Sequence, residues 1–492
     1  MTLPNPRYSF VFLIVLAFTL ALIAPAYAQL PLKQISNDAF TDTDAQHSTE
    51  VEPDTYAWGN TIVSAFQVGR IFGGGGSDIG FSTSTDGGKT WTAGYLPGLT
   101  VNYKNGTNSA ASDAAVIYDA AHGVWMICTL PIGNNDVVAV SRSTDGLNWS
   151  NPVIVTEINS DKNWITCDNT STSPFYGHCY VEWDSPADGD LVFMSTSTDG
   201  GQTWGTAKNT ADSLFGIGGQ PLVRPNGTVV VPIFSFNSGE MAAFSSTNGG
   251  QSWNSSVNIG PVNQHGEAGG LRSAGLPSAA EDGAGNIYVV WSDCSFRPGC
   301  NANDLVISSS SNGTNWTSPA RIPVVATSSP IDLFIPGLSV DLNTSGASAH
   351  LAVTTYAYSN TNCSFSTCQL YVGFTTSQDA GKTWTAGKVL AGPMSISWLP
   401  NTFSGYMVAD YLGTSYVNGN PFGVFAVAKA PSNGKFNQEM YTTSSPLLVS
   451  ANEPTYSSAG EKPIPGIKGD KVRKFYDLDG EYPIPRKSMS KK

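Results

Sequence analysis

The sequence predicts an all-β fold made of four-stranded antiparallel sheets repeated along the chain. Three observations carry this reading. The string STSTDGGKTW at Ser82–Trp91 returns as STSTDGGQTW at Ser195–Trp204, and self-similarity at a distance marks repeat architectures. Fifty-one glycines and thirty prolines accompany 11% aromatic residues, which suits short strands joined by tight turns. No long segment shows sustained helical periodicity.

From the N-terminus, Arg7 precedes an apolar run from Phe10 to Ile23, and Ala26-Tyr27-Ala28 follows. That order predicts a signal peptide over residues 1–28, cleaved before Gln29. A retained membrane anchor is the alternative, and the Ala-x-Ala ending favours cleavage. No later apolar run is long enough for a transmembrane helix. The expected location is therefore secreted, extracellular or periplasmic. Residues 29–50 are expected to close the repeat array, residues 51–445 to hold it, and residues 446–492 to form a polar, Lys/Pro-rich mobile tail. The net charge of -13 argues against nonspecific nucleic-acid binding, which needs a basic surface.

Seven cysteines include three close pairs: Cys167 with Cys179, Cys294 with Cys300, and Cys363 with Cys368. In an exported chain these read as local disulfides, with Cys128 a buried free thiol. No histidine is spaced beside them like a zinc site.

The repeated string has four further relatives: SRSTDGLNW, FSSTNGGQSW, SSSSNGTNW and TTSQDAGKTW. The aligned residues Asp86, Asp145, Asp199, Asn248, Asn312 and Asp379 stand 59, 54, 49, 64 and 67 residues apart. In each copy the Asp or Asn accepts bonds from backbone amides just downstream. Glycine supplies the positive φ of a hairpin turn. The closing tryptophans, Trp91, Trp149, Trp204, Trp253, Trp316 and Trp384, fold back over the turn. Two strand-like segments precede each copy. A seventh such set, GYMVADYLGTS and FGVFAVAKA, has no copy after it. About 54 residues per unit suits a β-propeller of seven four-stranded blades, with six blades as the alternative.

The S-x-D-x-G-x-T-W pattern resembles the Asp-box, or BNR repeat, of sialidase-like β-propellers. The copies at Ser84–Trp91 and Ser197–Trp204 match it fully; the sixth has Ala380 in place of glycine. QHSTEVEPD, DKNWITCD, WSDCSFRPGC and GYMVADY are similar to secreted, uncharacterised Asp-box proteins, which carry no reaction to transfer. The resemblance implies a ligand site at the mouth of a central channel. For a sialidase it also implies three arginines, a Tyr nucleophile with its Glu, and an Asp acid/base.

The repeats hold Arg70, Arg142, Arg224, Arg272, Arg297 and Arg321. None sits in the aromatic-Arg-Ile-Pro motif of sialidases, and none lies between Arg321 and the late tyrosines Tyr406 and Tyr411. The candidate catalytic residues are Arg70, Glu267, Arg272, Tyr406 and Asp410. Those for ligand binding are Asp161, Trp164 and Arg224. Glu52, Asp54, Asp113, Asp332 and Asp410 fall near inner strands, where converging oxygens would suit a structural calcium ion; no other cofactor is evident. No EF-hand loop, G-x-S-x-G elbow or H-E-x-x-H helix is present. The functions that fit are recognition of an extracellular glycan or surface protein, glycoside hydrolysis of sialidase type, or a structural role at the cell surface. Nothing in the sequence fixes the oligomeric state.

Overall fold

The computed structural model describes residues 31–133, 136–273, 275–447 and 455–469. The signal-peptide expectation and much of the expected tail lie outside them. Among the described residues the structure is all-β, and the helical pieces are three-residue 3-10 turns.

Seven antiparallel sets of strands follow one another. The first is Ala45–Trp58, Thr61–Ile71, Gly76–Ser84 and Thr92–Tyr95. The first strands of the next five are Ala110–Asp119, Asp161–Cys167, Leu222–Val223, Ser278–Glu281 and Asp332–Val340. The seventh set is Gly413–Val417, Asn420–Ala428 and Gln438–Thr443, completed by Leu32–Gln34 from the start of the chain. Leu32 lies opposite Thr443 and Gln34 opposite Tyr441. The Ser36 hydroxyl bonds to the buried Glu50 carboxylate, which also accepts the Met440 amide at 3.0 Å. Strand bridges at Gly76–Ala111 and Thr49–Gln438 join the seventh, first and second sets into one twelve-stranded sheet.

The packing follows from side-chain alternation. In a strand, neighbouring residues face opposite sides, and here both sides are apolar. Val229, Val231 and Ile233 pack toward the third set, with Tyr180 and Met194. Val230 and Phe234 pack toward the fifth, with Val289 and Trp291. Tyr288 and Val290 then face the sixth set, where Trp384 is fully buried. The first strands touch in chain order, and the seventh touches the first.

Each repeated string is a turn between a third and a fourth strand. The Ser197 hydroxyl donates to Asp199 at 2.9 Å and accepts the Gly201 amide at 3.0 Å. Asp199 in turn accepts the Thr203 amide at 3.0 Å and the Thr203 hydroxyl at 2.6 Å. Ser84–Asp86–Gly88–Thr90 and Ser377–Asp379–Gly381–Thr383 repeat the pattern. With Asn248 one bond reverses, and its amide donates to Ser252 at 2.8 Å. Gly88 has φ 88°, and a Cβ there would stand 2.5 Å from the Phe422 ring, so backbone and packing both demand glycine. Trp91 and Trp384 donate to Gly88 and Gly381 carbonyls at 3.1 and 2.9 Å.

The disulfides read from the sequence are present: Cys167–Cys179, Cys294–Cys300 and Cys363–Cys368, with Cys128 free and buried. The first staples two strands at directly opposed positions. Residues 455–469 run back along the sixth and fifth sets. Thr455–Ser457 pairs with Thr383–Thr385, Glu461 meets Arg321 at 2.9 Å, and the Ile464 amide donates to Ser295 at 2.8 Å.

Two substitutions separate the turn from the core. Ser197→Ala leaves the Gly201 amide without its acceptor and should cost about 1–2 kcal/mol. Trp384→Ala empties a fully buried site and should cost about 3–5 kcal/mol. Urea denaturation measures both. An unchanged midpoint for Ser197→Ala would show that the serine does not hold the turn.

Candidate functional site

Four first strands carry a bulge. Their register shifts between Val51 and Asp54, Ser112 and Ala115, Asp161 and Trp164, and Phe334 and Pro336. Inside these bulges Glu52, Asp113, Lys162 and Ile335 have φ of 55°, 47°, 46° and 51°. Side-chain-bearing residues seldom occupy that region, and bulges re-aim side chains. The three charged ones are turned into one buried cluster.

Lys162 Nζ lies 3.4 Å from Asp113 and 3.4 Å from the centre of the Tyr411 ring. Glu52 bonds to the Gln67 amide, which also donates to Ser112 at 2.8 Å. Arg272 grips Asp410 with Nε 3.1 Å from both carboxylate oxygens and Nη2 2.6 Å from Oδ2, and it reaches Ser404 at 3.1 Å. Glu52 and Asp410 are hydrogen-bonded to each other. All of these charged groups are buried.

Their titration divides. Burial, then Asp113 and Asp410, push Glu52 well above the usual carboxyl range, against Lys162 and Arg272. Burial also pushes Asp410 upward, but the Arg272 guanidinium and the bonds around it bring it below its ordinary value. The two shifts run in opposite directions, Glu52 toward its protonated form and Asp410 toward its carboxylate. Lys162 and Arg272 balance the carboxylates of Asp113 and Asp410.

In each bulged strand that contributes a charge, that residue precedes the residues lining a cavity of about 460 Å³. Its walls come from all seven first-strand regions: Tyr56, Val116, Trp164, Leu222, Glu281, Leu338 and Thr414 among others. The charged cluster thus lies on the upstream side of these strands and the cavity on the downstream side. Trp164 stands between them, edge-on to Tyr411 with ring centres 5.3 Å apart.

The structure brings Arg272 and Asp410 together and adds Glu52, Asp113, Lys162 and Tyr411. Glu267 instead meets Asn303 at 3.2 Å, and burial with Asp332 nearby pushes it up to about 8. The Tyr406 carbonyl accepts the Arg272 amide at 2.8 Å, while its ring packs on Phe365 at 4.9 Å. Arg70 donates to the Gly75 carbonyl at 2.7 Å and contacts Met407 Sδ at 3.1 Å. Asp161 accepts the Lys162 amide at 2.8 Å. Arg224 ties two outer turns together through Gly285 and Ser311 carbonyls at 2.8 and 2.5 Å. The six arginines do not gather in one pocket: Arg297 and Arg321 both close on Asp304 at 2.7 and 2.8 Å, and Arg142 donates to the Gly200 carbonyl at 2.6 Å.

Of the acidic residues considered for calcium, Glu52, Asp113 and Asp410 converge at the charged cluster, while Asp332 lies apart. Asp332 pairs with His265 at 3.2 Å, and Lys162 and Arg272 supply the countercharge at the axis. Asp119 lies beside Cys167 and Cys179, whose sulfurs are joined to each other. Lys162 and Tyr411 are not among the candidate site residues read from the sequence. The available signal was a charge set among strand residues in EVEPD, ASDAA and DKNW.

No family model matches this sequence, and no curated sequence matches it. Among solved structures, it is similar to a protein of unknown function from Dyadobacter fermentans, at 13% identity and TM-score 0.46, covering 70% of this chain and 99% of that one. It is also similar to the NanB sialidase of Streptococcus pneumoniae, at 14% identity and TM-score 0.42, covering 84% and 70%. An α-L-arabinofuranosidase from Fusarium graminearum gives 13% identity and TM-score 0.42, covering 68% and 92%.

The buried acids make stability depend on pH. Burial is the leading cause that raises Asp54 and Asp78 to about 7 and Glu281 to about 8. It also pushes Glu182 and Asp184 well up, and their oxygens have no hydrogen-bond partner. The folded state thus keeps protons that the unfolded chain releases above about pH 4. Their contribution is complete below that value and is lost as pH rises toward 8. The urea midpoint should be lower at pH 8.5 than at pH 5.5, with a smaller difference in Glu182→Gln. A midpoint that rises over this range would contradict the assignment.

Proposed function

We propose that the chain is a secreted, seven-bladed Asp-box β-propeller of the sialidase-like class that binds an extracellular glycan at the upstream end of its axis. The observation that carries this reading is the convergence of Glu52, Asp113 and Lys162 from three first strands with Arg272 and Asp410 from the segments that precede the fifth and seventh sets. Ligands of such rings sit where several strands and loops meet. The ion network fixes the floor, and Arg272 links it to the Ser404–Tyr406 loop. Above it Phe365 is 41% exposed and stacks on Tyr406, while Phe72 is 52% exposed beside Phe403. Aromatic faces set around a polar floor suit a sugar surface. The ring reading is supported by the order of first-strand contacts and by the strand that Leu32–Gln34 lends to the last set. Export is supported by the leader pattern and three disulfides.

A glycan array probed with the mature protein tests this reading. Discrete glycans should bind, and Phe365→Ala with Tyr406→Ala should weaken them at least tenfold. An empty array, or binding unchanged in that double variant, would remove the upstream end as the site.

A second reading, glycoside hydrolysis, is favoured by the opposed titration of Glu52 and Asp410, since acid/base pairs are built from carboxyls driven apart. It does not extend to sialosides. Their carboxylate needs clustered guanidinium groups, and the arginines are dispersed. Two missing charge-assisted bonds cost about 3–6 kcal/mol, or roughly two to four powers of ten in rate. A fluorogenic sialoside should therefore be turned over little or not at all. Robust turnover, lost in Glu52→Gln and falling as pH rises through the raised Glu52 value, would put hydrolysis ahead of binding.

A further inference from the structure

The downstream cavity is a second, separate feature of the axis. At about 460 Å³ it lies within the roughly 300–1,000 Å³ of small-molecule sites. Two indoles define it. Trp58, 38% exposed, stands at the rim. It is held by Tyr118, with ring centres 5.3 Å apart and planes 31° apart, and Tyr118 leans on Trp125 at 4.9 Å. Trp164 forms a deeper wall and is braced by Tyr411. Both rings are fixed before any ligand arrives, which lowers the ordering cost of binding. Leu342, 50% exposed, completes the rim.

Polar groups line the same cavity as the indoles. Glu281 lines the cavity, and its Oε2 is buried with no hydrogen-bond partner among the described residues. Asp54 is pinned by the Val116 amide at 2.8 Å. Asp282 is spent on its own turn, accepting the Ala284 and Asn286 amides at 2.9 Å each. No Lys, Arg or His is among the lining residues. The cations that act on Glu281 and Asp54, Arg224 and Lys162, stand behind the walls and do not line the cavity, so an anionic ligand would meet carboxyl groups first. Burial, the leading cause, raises Glu281 to about 8 and Asp54 to about 7, so near neutrality a Glu281 carboxylic acid can both donate and accept.

We infer that this cavity binds an uncharged sugar ring, stacked against Trp58 and Trp164, with its hydroxyls bonded to Glu281. The apolar C–H faces of a pyranose match the negative faces of indoles, and its hydroxyls can bond to the Glu281 carboxyl group that lines the cavity. This site is distinct from the upstream one and does not depend on it.

Intrinsic tryptophan fluorescence of the mature protein at pH 6.5 tests the inference, with glucose, galactose, mannose, cellobiose and xylobiose titrated against 3′-sialyllactose. At least one neutral sugar should give a saturable change below 10 mM. Trp58→Ala and Glu281→Ala should each weaken it at least tenfold, while Glu281→Gln, which also donates and accepts, should stay within threefold. Circular dichroism verifies that the variants are folded. If Trp58→Ala unfolds, Trp58→Phe with Glu281→Ala carries the test. The inference fails if none of the neutral sugars binds, if 3′-sialyllactose binds as well as they do, or if Trp58 and Glu281 variants leave binding intact. Neutral-sugar binding that Phe365→Ala and Tyr406→Ala remove but Trp58→Ala does not belongs to the upstream end and also overturns it. Loss of array binding in the former pair, with sugar fluorescence retained, leaves this site standing alone.

Discussion

Each four-stranded sheet in this protein is apolar on both faces, and the rest of the structure depends on that constraint. Ile287 and Val289 look one way and Tyr288 and Val290 the other, so a single sheet cannot be stable with either side in water. A neighbour is needed on each side, and a row of such sheets leaves two unsatisfied faces unless its ends meet. The sixth and seventh sets share a core with Phe66 and Val68 of the first. Leu32–Gln34 and the Glu50 carboxylate then bind the beginning of the chain to the last set. Face-to-face burial decides the order of the sheets, and in that order each first strand touches the next and the seventh touches the first.

Local chemistry was legible in the sequence and long-range chemistry was not. The turn strings spell their own hydrogen bonds, because Ser197, Asp199 and Thr203 are within a few residues of one another. The cysteine pairs are equally local. Arg272 and Asp410 were both singled out, but 138 residues separate them and nothing in the sequence pairs them. Glu267 is close to Arg272 in the sequence, yet across the turn at Ala268–Gly270 it meets Asn303. Arg224 read as a ligand group because it adjoins an inner strand. Its guanidinium is consumed by turn carbonyls that no sequence pattern announces. Lys162 is the plainest loss. Strict alternation gives no account of where its side chain points, because the bulge between Asp161 and Trp164 breaks the alternation there.

The bulges also explain how charge comes to lie at the centre of an apolar assembly. A regular strand offers the axis every second residue, and those positions would be filled by apolar side chains. A positive φ at Glu52, Asp113 and Lys162 interrupts that rule in three neighbouring first strands. Backbone strain of order 1–3 kcal/mol per residue persists only where surrounding structure overdetermines it. Here the surrounding structure is the stacked sheets, whose packing fixes the strands on either side of each bulge.

The two halves of the axis then differ in one respect that bears on function. Upstream, each carboxylate faces a cation: Asp113 has Lys162, and Asp410 has Arg272. Downstream, Asp54 and Glu281 line a cavity with no cation among its walls. A buried ion network contributes little to stability compared with apolar residues of the same volume, since desolvation offsets most of the attraction. Three strained backbone positions add to that cost. Packing alone would be served as well by leucine or methionine at these positions. The network is better understood as a rigid polar floor that presents Arg272 and its loop to the upstream surface and walls off the downstream cavity. It gives one axis two chemically unlike ends, one ionic and compensated, the other aromatic and short of a hydrogen-bond partner.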